Sequence, residues 1–93
     1  MAQATITYLR HLVRTLNYVV SLHAAEELDD DSLNILDLES IILTGKIIAR
    51  QRDAGTREVK YVIAGTALDG AKGEVVAKVG VTGKLFIITV YRA

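Results

Sequence analysis

The apolar residues of this chain follow two different periods, helical in the first half and strand-like in the second. Over residues 4–17, Ile6, Leu9, Leu12, Val13 and Leu16 recur at three- and four-residue steps with Arg10 and Arg14 outside the stripe. That spacing predicts an amphipathic helix that docks by its apolar stripe. Tyr18-Val19-Val20-Ser21 is a short β-prone run, after which Ser21 is placed to cap a short helix through His23, Ala24, Ala25 and Leu28, broken by the acids Asp29 to Asp31. Asn34 followed three residues later by Asp37 reads as a capping box, opening a helix that carries Ile35, Leu38, Ile41 and Ile42. Gly45 is its expected left-handed stop.

After Gly45 the β-branched runs alternate with Gly and Asp punctuation, which predicts four strands over residues 46–52, 57–66, 73–81 and 84–91. Turns fall at Asp53-Ala54-Gly55, Asp69-Gly70 and Thr82-Gly83. In the third strand Val75, Ala77, Val79 and Val81 share one face and Glu74 and Lys78 the other, the pattern of a sheet buried on one side. In the last strand Leu85 and Ile87 fall on one face and Phe86, Ile88 and Val90 on the other, so it is expected to be central and at least partly covered on both sides. The run at residues 18–21 is its expected partner. The predicted fold is α+β, helices followed by an antiparallel four-stranded meander.

With 93 residues, of which 51% are hydrophobic, the chain has material for one core, so residues 1–93 are read as a single domain. No cysteine is present, which removes disulfides, thiolate metal sites and thiol chemistry. The absence of proline leaves sheet edges to be protected by charge or by a partner chain. The first 25 residues hold no apolar run of signal or membrane-spanning length, so a cytoplasmic protein with no membrane partner is expected. The net charge of zero conceals a segregation. Glu26, Glu27, Asp29, Asp30, Asp31, Asp37 and Glu39 stand in residues 26–45 without one Lys or Arg, while nine bases and four acids follow from Lys46 onward. The folded domain should be an electric dipole that steers partners of opposite sign, its own copies included.

Candidate chemistry is sparse. His23, beside the capping Ser21, is suited to proton transfer near neutral pH or to a half-buried structural role with backbone partners. His11, beside Arg10, needs no functional account. Two distant histidines make no zinc motif, and the consecutive acids 29–31 lack the alternating spacing of a calcium loop. Gly65 to Gly70 lacks the Lys-Ser/Thr ending of a phosphate loop, and no nucleophile elbow is present. Nothing calls for a cofactor or a metal. Arg50, Arg52, Arg57 and Lys60 cluster on the first predicted hairpin, with Tyr61 and Tyr91 on neighbouring strands. Guanidinium groups suit phosphate contact and a phenol or imidazole can move protons during ribose-assisted RNA cleavage, although the same set also describes a charged solvent face and Tyr61 shares core parity with Val59 and Ile63.

Taken in order, Ser21-Leu22-His23-Ala24, Ile41-Ile42-Leu43-Thr44-Gly45, Ile47-Ile48 and Ile88-Thr89-Val90-Tyr91-Arg92 resemble a family of small prokaryotic domains of unknown function grouped with the RelE/ParE-like toxin superfamily. The resemblance covers residues 18–92 and leaves the N-terminal helix, residues 1–17, outside. It implies a RelE/ParE-like fold, two helices and then an antiparallel sheet. It also implies metal-independent cleavage of messenger RNA by one half of a toxin–antitoxin pair, with RNA or the ribosome and a small zinc-finger antitoxin as partners. By that resemblance His23 and Tyr91 are the proton-transfer residues, and Arg92 joins Arg50, Arg52, Arg57 and Lys60 in holding RNA. Glu27 and Asp31 stand where the family pattern carries arginines. The other reading from the sequence is a non-catalytic protein–protein interaction module of the same fold.

Overall fold

The computed structural model describes residues 4–55 and 58–93. Three helices and five strands follow in the order α1 (Ile6–Arg14), β1 (Tyr18–Val20), α2 (Leu22–Asp30), α3 (Ile35–Thr44), β2 (Lys46–Arg52), β3 (Val59–Thr66), β4 (Lys72–Val79) and β5 (Leu85–Arg92). The strands form one sheet in the order β1-β5-β4-β3-β2. From β2 to β5 each strand runs antiparallel to the next, and β1 adds to β5 in parallel through Tyr18 to Val20 against Leu85 to Ile87. The sheet is therefore five-stranded and mixed, not a four-stranded antiparallel meander. A parallel partner is possible because the whole of α2, α3 and β2–β4 lies between the two strands, ample length for a crossover.

α3 lies across β3 and β4, α1 packs on α3 and β5, and α2 runs along β5. The core between these layers holds Leu9, Leu12 and Val13 of α1, Leu38, Ile41 and Ile42 of α3, and Tyr61, Ile63, Val75, Ala77, Leu85, Ile87 and Val90 of the sheet. Among the described residues no helix lies on the opposite face of the sheet.

Two β-bulges decide which side chains reach which face. On β2, Ile47 pairs with Ile63 and Ala49 with Val62, so Ile48 is an extra residue. On β5, Ile87 pairs with Ala77 and Thr89 with Val76, which makes Ile88 extra. A bulge reverses the alternation beyond it. Val90 thereby joins Leu85 and Ile87 in the core with no exposure, and β5 is covered on one face only, with Phe86 39% exposed on the other. The expectation that Val90 shares the face of Phe86 and Ile88 is corrected on this ground.

Helix boundaries are largely local chemistry. Ser21 caps α2 by accepting from the Ala24 N–H at 3.0 Å. Asn34 and Asp37 form the predicted capping box of α3. Thr5 caps α1, which ends at Arg14 because Leu16 takes a left-handed conformation, φ 59°, and leaves the apolar stripe for solvent. Gly45 is not a left-handed stop: its φ of −89° and ψ of 178° are extended. Its lack of a side chain serves close approach instead. A Cβ on Gly45 or Gly65 would collide with the Ile41 carbonyl oxygen, and one on Gly73 with the Ile41 side chain, so α3 sits directly on the backbone of the sheet. The Arg10 guanidinium of α1 donates to the Gly45 carbonyl at 2.7 Å, placing a cation at the negative end of α3.

Candidate nucleic-acid interface

The predicted basic cluster does not form one patch. Directly opposed residues of an antiparallel pair share a face. Arg50 opposes the core residue Tyr61 and Arg52 opposes Val59, whereas Lys60 opposes Gln51 and projects from the open face. The bulge at Ile48 is the cause, since without it Arg50 and Arg52 would share the face of Lys46. Arg50 lies over the Tyr61 ring at 6.0 Å from its centroid, at the sheet's β2 edge. Tyr61 is core, 4% exposed, and its hydroxyl accepts from the Ala4 N–H at 2.8 Å. Arg92 is tied to the end of α2: its backbone N–H donates to the Asp31 carboxylate at 3.2 Å and its Nε to the Asp31 carbonyl at 3.0 Å. Arg57 lies outside the described residues.

β1 pairs only with the first residues of β5, so the remaining edge of β5 needs other partners. α2 supplies them. The Ser21 hydroxyl donates to the Ile88 carbonyl at 3.1 Å, a Glu27 oxygen accepts from the Val90 N–H at 3.0 Å, and Asp31 accepts from the Arg92 N–H. Glu27 and Asp31 thus take the place of a sixth strand's carbonyls, a role no arginine can fill because it has no acceptor.

His23 and Tyr91 meet this edge from two sides. His23 is exposed, 68% at its side chain, and its Nε2 lies 3.4 Å from the same Glu27 oxygen that holds Val90. It is not the half-buried, backbone-bonded histidine of the structural reading. Tyr91, the next residue after Val90, points to the open face and donates to Glu74 at 2.7 Å. Its phenol pKa is raised, first by that hydrogen bond, then by burial and by the charges of Glu74 and Glu27. The phenol keeps its proton and can act only as a donor near neutral pH.

The open face itself is basic. Lys46, Lys60, Lys72 and Lys78 project from it, as pairing with Ala64, Gln51, Thr66 and Phe86 requires. Lys60 stands directly opposite Lys78, a like-charge pair that costs stability. Lys78 is partly neutralised by Glu58 at 3.0 Å and lies 5.9 Å from the centroid of the Phe86 ring. Val76 lies half-buried between the lysines, with Val62 beside it almost fully covered, and Val19 stands beside Phe86 on β1. Sequence reasoning missed Lys46, Lys72 and Phe86, although the alternation of β4 already sent Glu74 and Lys78 outward. Among the described residues no group of three His, Cys, Asp or Glu side chains could hold a metal ion, and no helix is long and apolar enough to cross a membrane.

A family model described as a domain of unknown function, DUF4258, matches residues 20–92, from the end of β1 to the end of β5. No curated protein and no solved structure matches the chain.

Proposed function

The chain belongs to the DUF4258 family, and on that premise we propose a RelE/ParE-like toxin-family domain that binds RNA across the open sheet face and cleaves it at the β5 edge. The observation that carries this reading is the opposed pair Lys60 and Lys78 within a face of four lysines, on a protein whose acids are concentrated in its helices. Two lysines opposed on neighbouring strands repel, the carboxylate of Glu58 offsets this only in part, and a phosphate chain supplies further negative charge at regular intervals. The half-exposed Phe86 beside Lys78 offers a surface on which a base stacks, the usual way a sheet reads single-stranded RNA.

At the β5 edge the chemistry follows from the donors present. The His23 imidazole, oriented by Glu27, takes the proton of a ribose 2′-hydroxyl, whose oxygen attacks the adjoining phosphorus. The P–O5′ bond breaks, a 2′,3′-cyclic phosphate forms, and the Tyr91 phenol protonates the departing 5′ oxygen.

Labelled RNA incubated with the protein in a salt series without added metal tests both halves on one gel. Retention should fall steeply with salt, and Lys60→Ala/Lys78→Ala should flatten the slope of log affinity against log salt by roughly 1.4, about 0.7 per phosphate contact on a single strand. His23→Ala/Tyr91→Phe should abolish cleavage and leave retention intact. Retention unchanged by the lysine pair sinks the binding face, and cleavage surviving the second pair sinks the assigned residues. One observation favours the interaction-module reading. Among the described residues no strand pairs with the outer edge of β2, which therefore offers its backbone to an extended partner. Retention absent at every salt would move the assignment there.

A further inference from the structure

The open face has a second feature that the opposed pair Lys60 and Lys78 does not explain. Where β2 begins, β3 ends and β4 begins, a depression of about 330 Å³ is lined by Lys46, Thr66, Lys72, Glu74 and Ala93 over a floor of Ala64, Gly65 and Gly73. The floor is low because Ala64 presents only a methyl group to the open face, and beside it lies only the backbone of Gly65 and Gly73, whose side-chain positions face α3. Its wall is rigid. The Ser40 hydroxyl donates to the Thr66 carbonyl at 2.8 Å and the Thr66 N–H donates to the Thr44 hydroxyl at 2.9 Å, fastening the end of β3 to α3.

We propose that this depression is a subsite for the phosphate of a ribonucleotide. Lys46 and Lys72 flank it from β2 and β4, two strand spacings across and two residues along the strand, about 12 Å apart at the backbone, a span their flexible stems can close on one anion between them. Both are exposed, and neither has an ion pair among the described residues. The one acidic side chain in the wall, Glu74, already accepts from the Tyr91 hydroxyl at 2.7 Å, which leaves its remaining lone pairs to receive a sugar hydroxyl or base amine. The volume is at the lower end of ligand sites and fits a group of mononucleotide size. Through Glu74 the subsite borders Tyr91, so it deepens the RNA reading by fixing where one phosphate beside the reacting residues is held.

Amide NMR spectra of the full chain, titrated separately with adenosine 5′-monophosphate, inorganic phosphate and adenosine, test the subsite without requiring cleavage. The nucleotide should shift the amides of Ala64, Gly65, Thr66 and Gly73 with saturation in the millimolar range. Lys46→Ala/Lys72→Ala, its fold checked by the dispersion of the same spectrum, should weaken that binding at least tenfold. Inorganic phosphate shifting the same amides as tightly would support the subsite with free phosphate as its source, and tighter nucleotide binding supports it with the RNA as source. Shifts produced equally by adenosine, shifts indifferent to the lysine pair, or no shifts at all would overturn it. If Lys60→Ala/Lys78→Ala leaves RNA retention intact while the nucleotide shifts persist, the subsite stands and the RNA face falls; the reverse result separates them the other way.

Discussion

Asp37 is a buried acid, 9% exposed, and both of its oxygens are committed: one accepts from the Asn34 N–H at 3.0 Å, the other from the Leu68 N–H at 3.1 Å. One side chain thus closes the start of α3 and ties it to the turn between β3 and β4. Asp37→Ala strands two backbone donors and should cost about 3 kcal/mol in urea unfolding, with Asp37→Asn costing less because one acceptor survives. A loss under about 1 kcal/mol would mean that water reaches the Leu68 N–H. Tyr18 makes the corresponding link between β1 and α3 by donating to Glu39. Burial first, and then the bond and charge of Glu39, push its phenol from 10.0 to about 12. An unfolded chain ionises the phenol near its ordinary value, so the stabilisation is complete below that pH and is lost as the pH climbs through the folded value. Tyr18→Phe should therefore flatten the fall in unfolding free energy between pH 10 and 12. An unchanged fall would assign the alkaline loss to other groups, Tyr91 among them.

At the scale of the elements, what the sequence revealed and what it hid divide cleanly by range. Ser21, Asn34 and Asp37 were legible because a cap is satisfied within three or four residues of itself. The pairing of β1 with β5 was legible because the hydrophobic last strand needed a neighbour on its far side. The bulges were not. Ile47-Ile48-Ala49 and Ile87-Ile88-Thr89 are uninterrupted runs with no glycine to mark the extra residue, and the bulge exists only in relation to the opposite strand. That one gap in legibility displaced Arg50 and Arg52 from the face of Lys60 and moved Val90 into the core. Gly45 was recognised as special for the wrong reason, since a left-handed stop and a close approach select the same residue. The edge role of Glu27 and Asp31 was equally invisible, being defined by Val90 and Arg92 over sixty residues away. Glu27→Ala should leave the helix formed and speed hydrogen exchange at the Val90 amide by at least tenfold, with the amide of Ile63 in the sheet interior unaffected. Exchange unaltered at Val90 would show that the edge is protected by the helix backbone alone. Gly65→Ala places a methyl group in the Ile41 carbonyl and should prevent α3 from docking, visible as loss of cooperative thermal unfolding.

For the whole molecule, the family match begins at residue 20, yet the core does not. Leu9, Leu12 and Val13 of α1 are almost fully buried, and Arg10 closes the end of α3. Three such side chains contribute about 6–7.5 kcal/mol at roughly 2–2.5 each, comparable with the whole stability of a domain this size. A chain lacking residues 1–15 should accordingly be unfolded or molten by circular dichroism and dye binding; a cooperative transition in that chain would show that α2 and α3 alone can cover the sheet. Because α1 lies on the helical side, its removal acts through folding and not by uncovering the lysines. The same separation of sides gives the bulge at Ile88 a genealogical meaning. Deleting that residue restores plain alternation yet leaves Val90 inward and Tyr91 outward, so the last strand absorbs one residue of length without changing what it presents. Relatives that differ by one residue here can keep the phenol in place, and an alignment that sets its gap anywhere past Tyr91 would compare residues from opposite sides of the sheet.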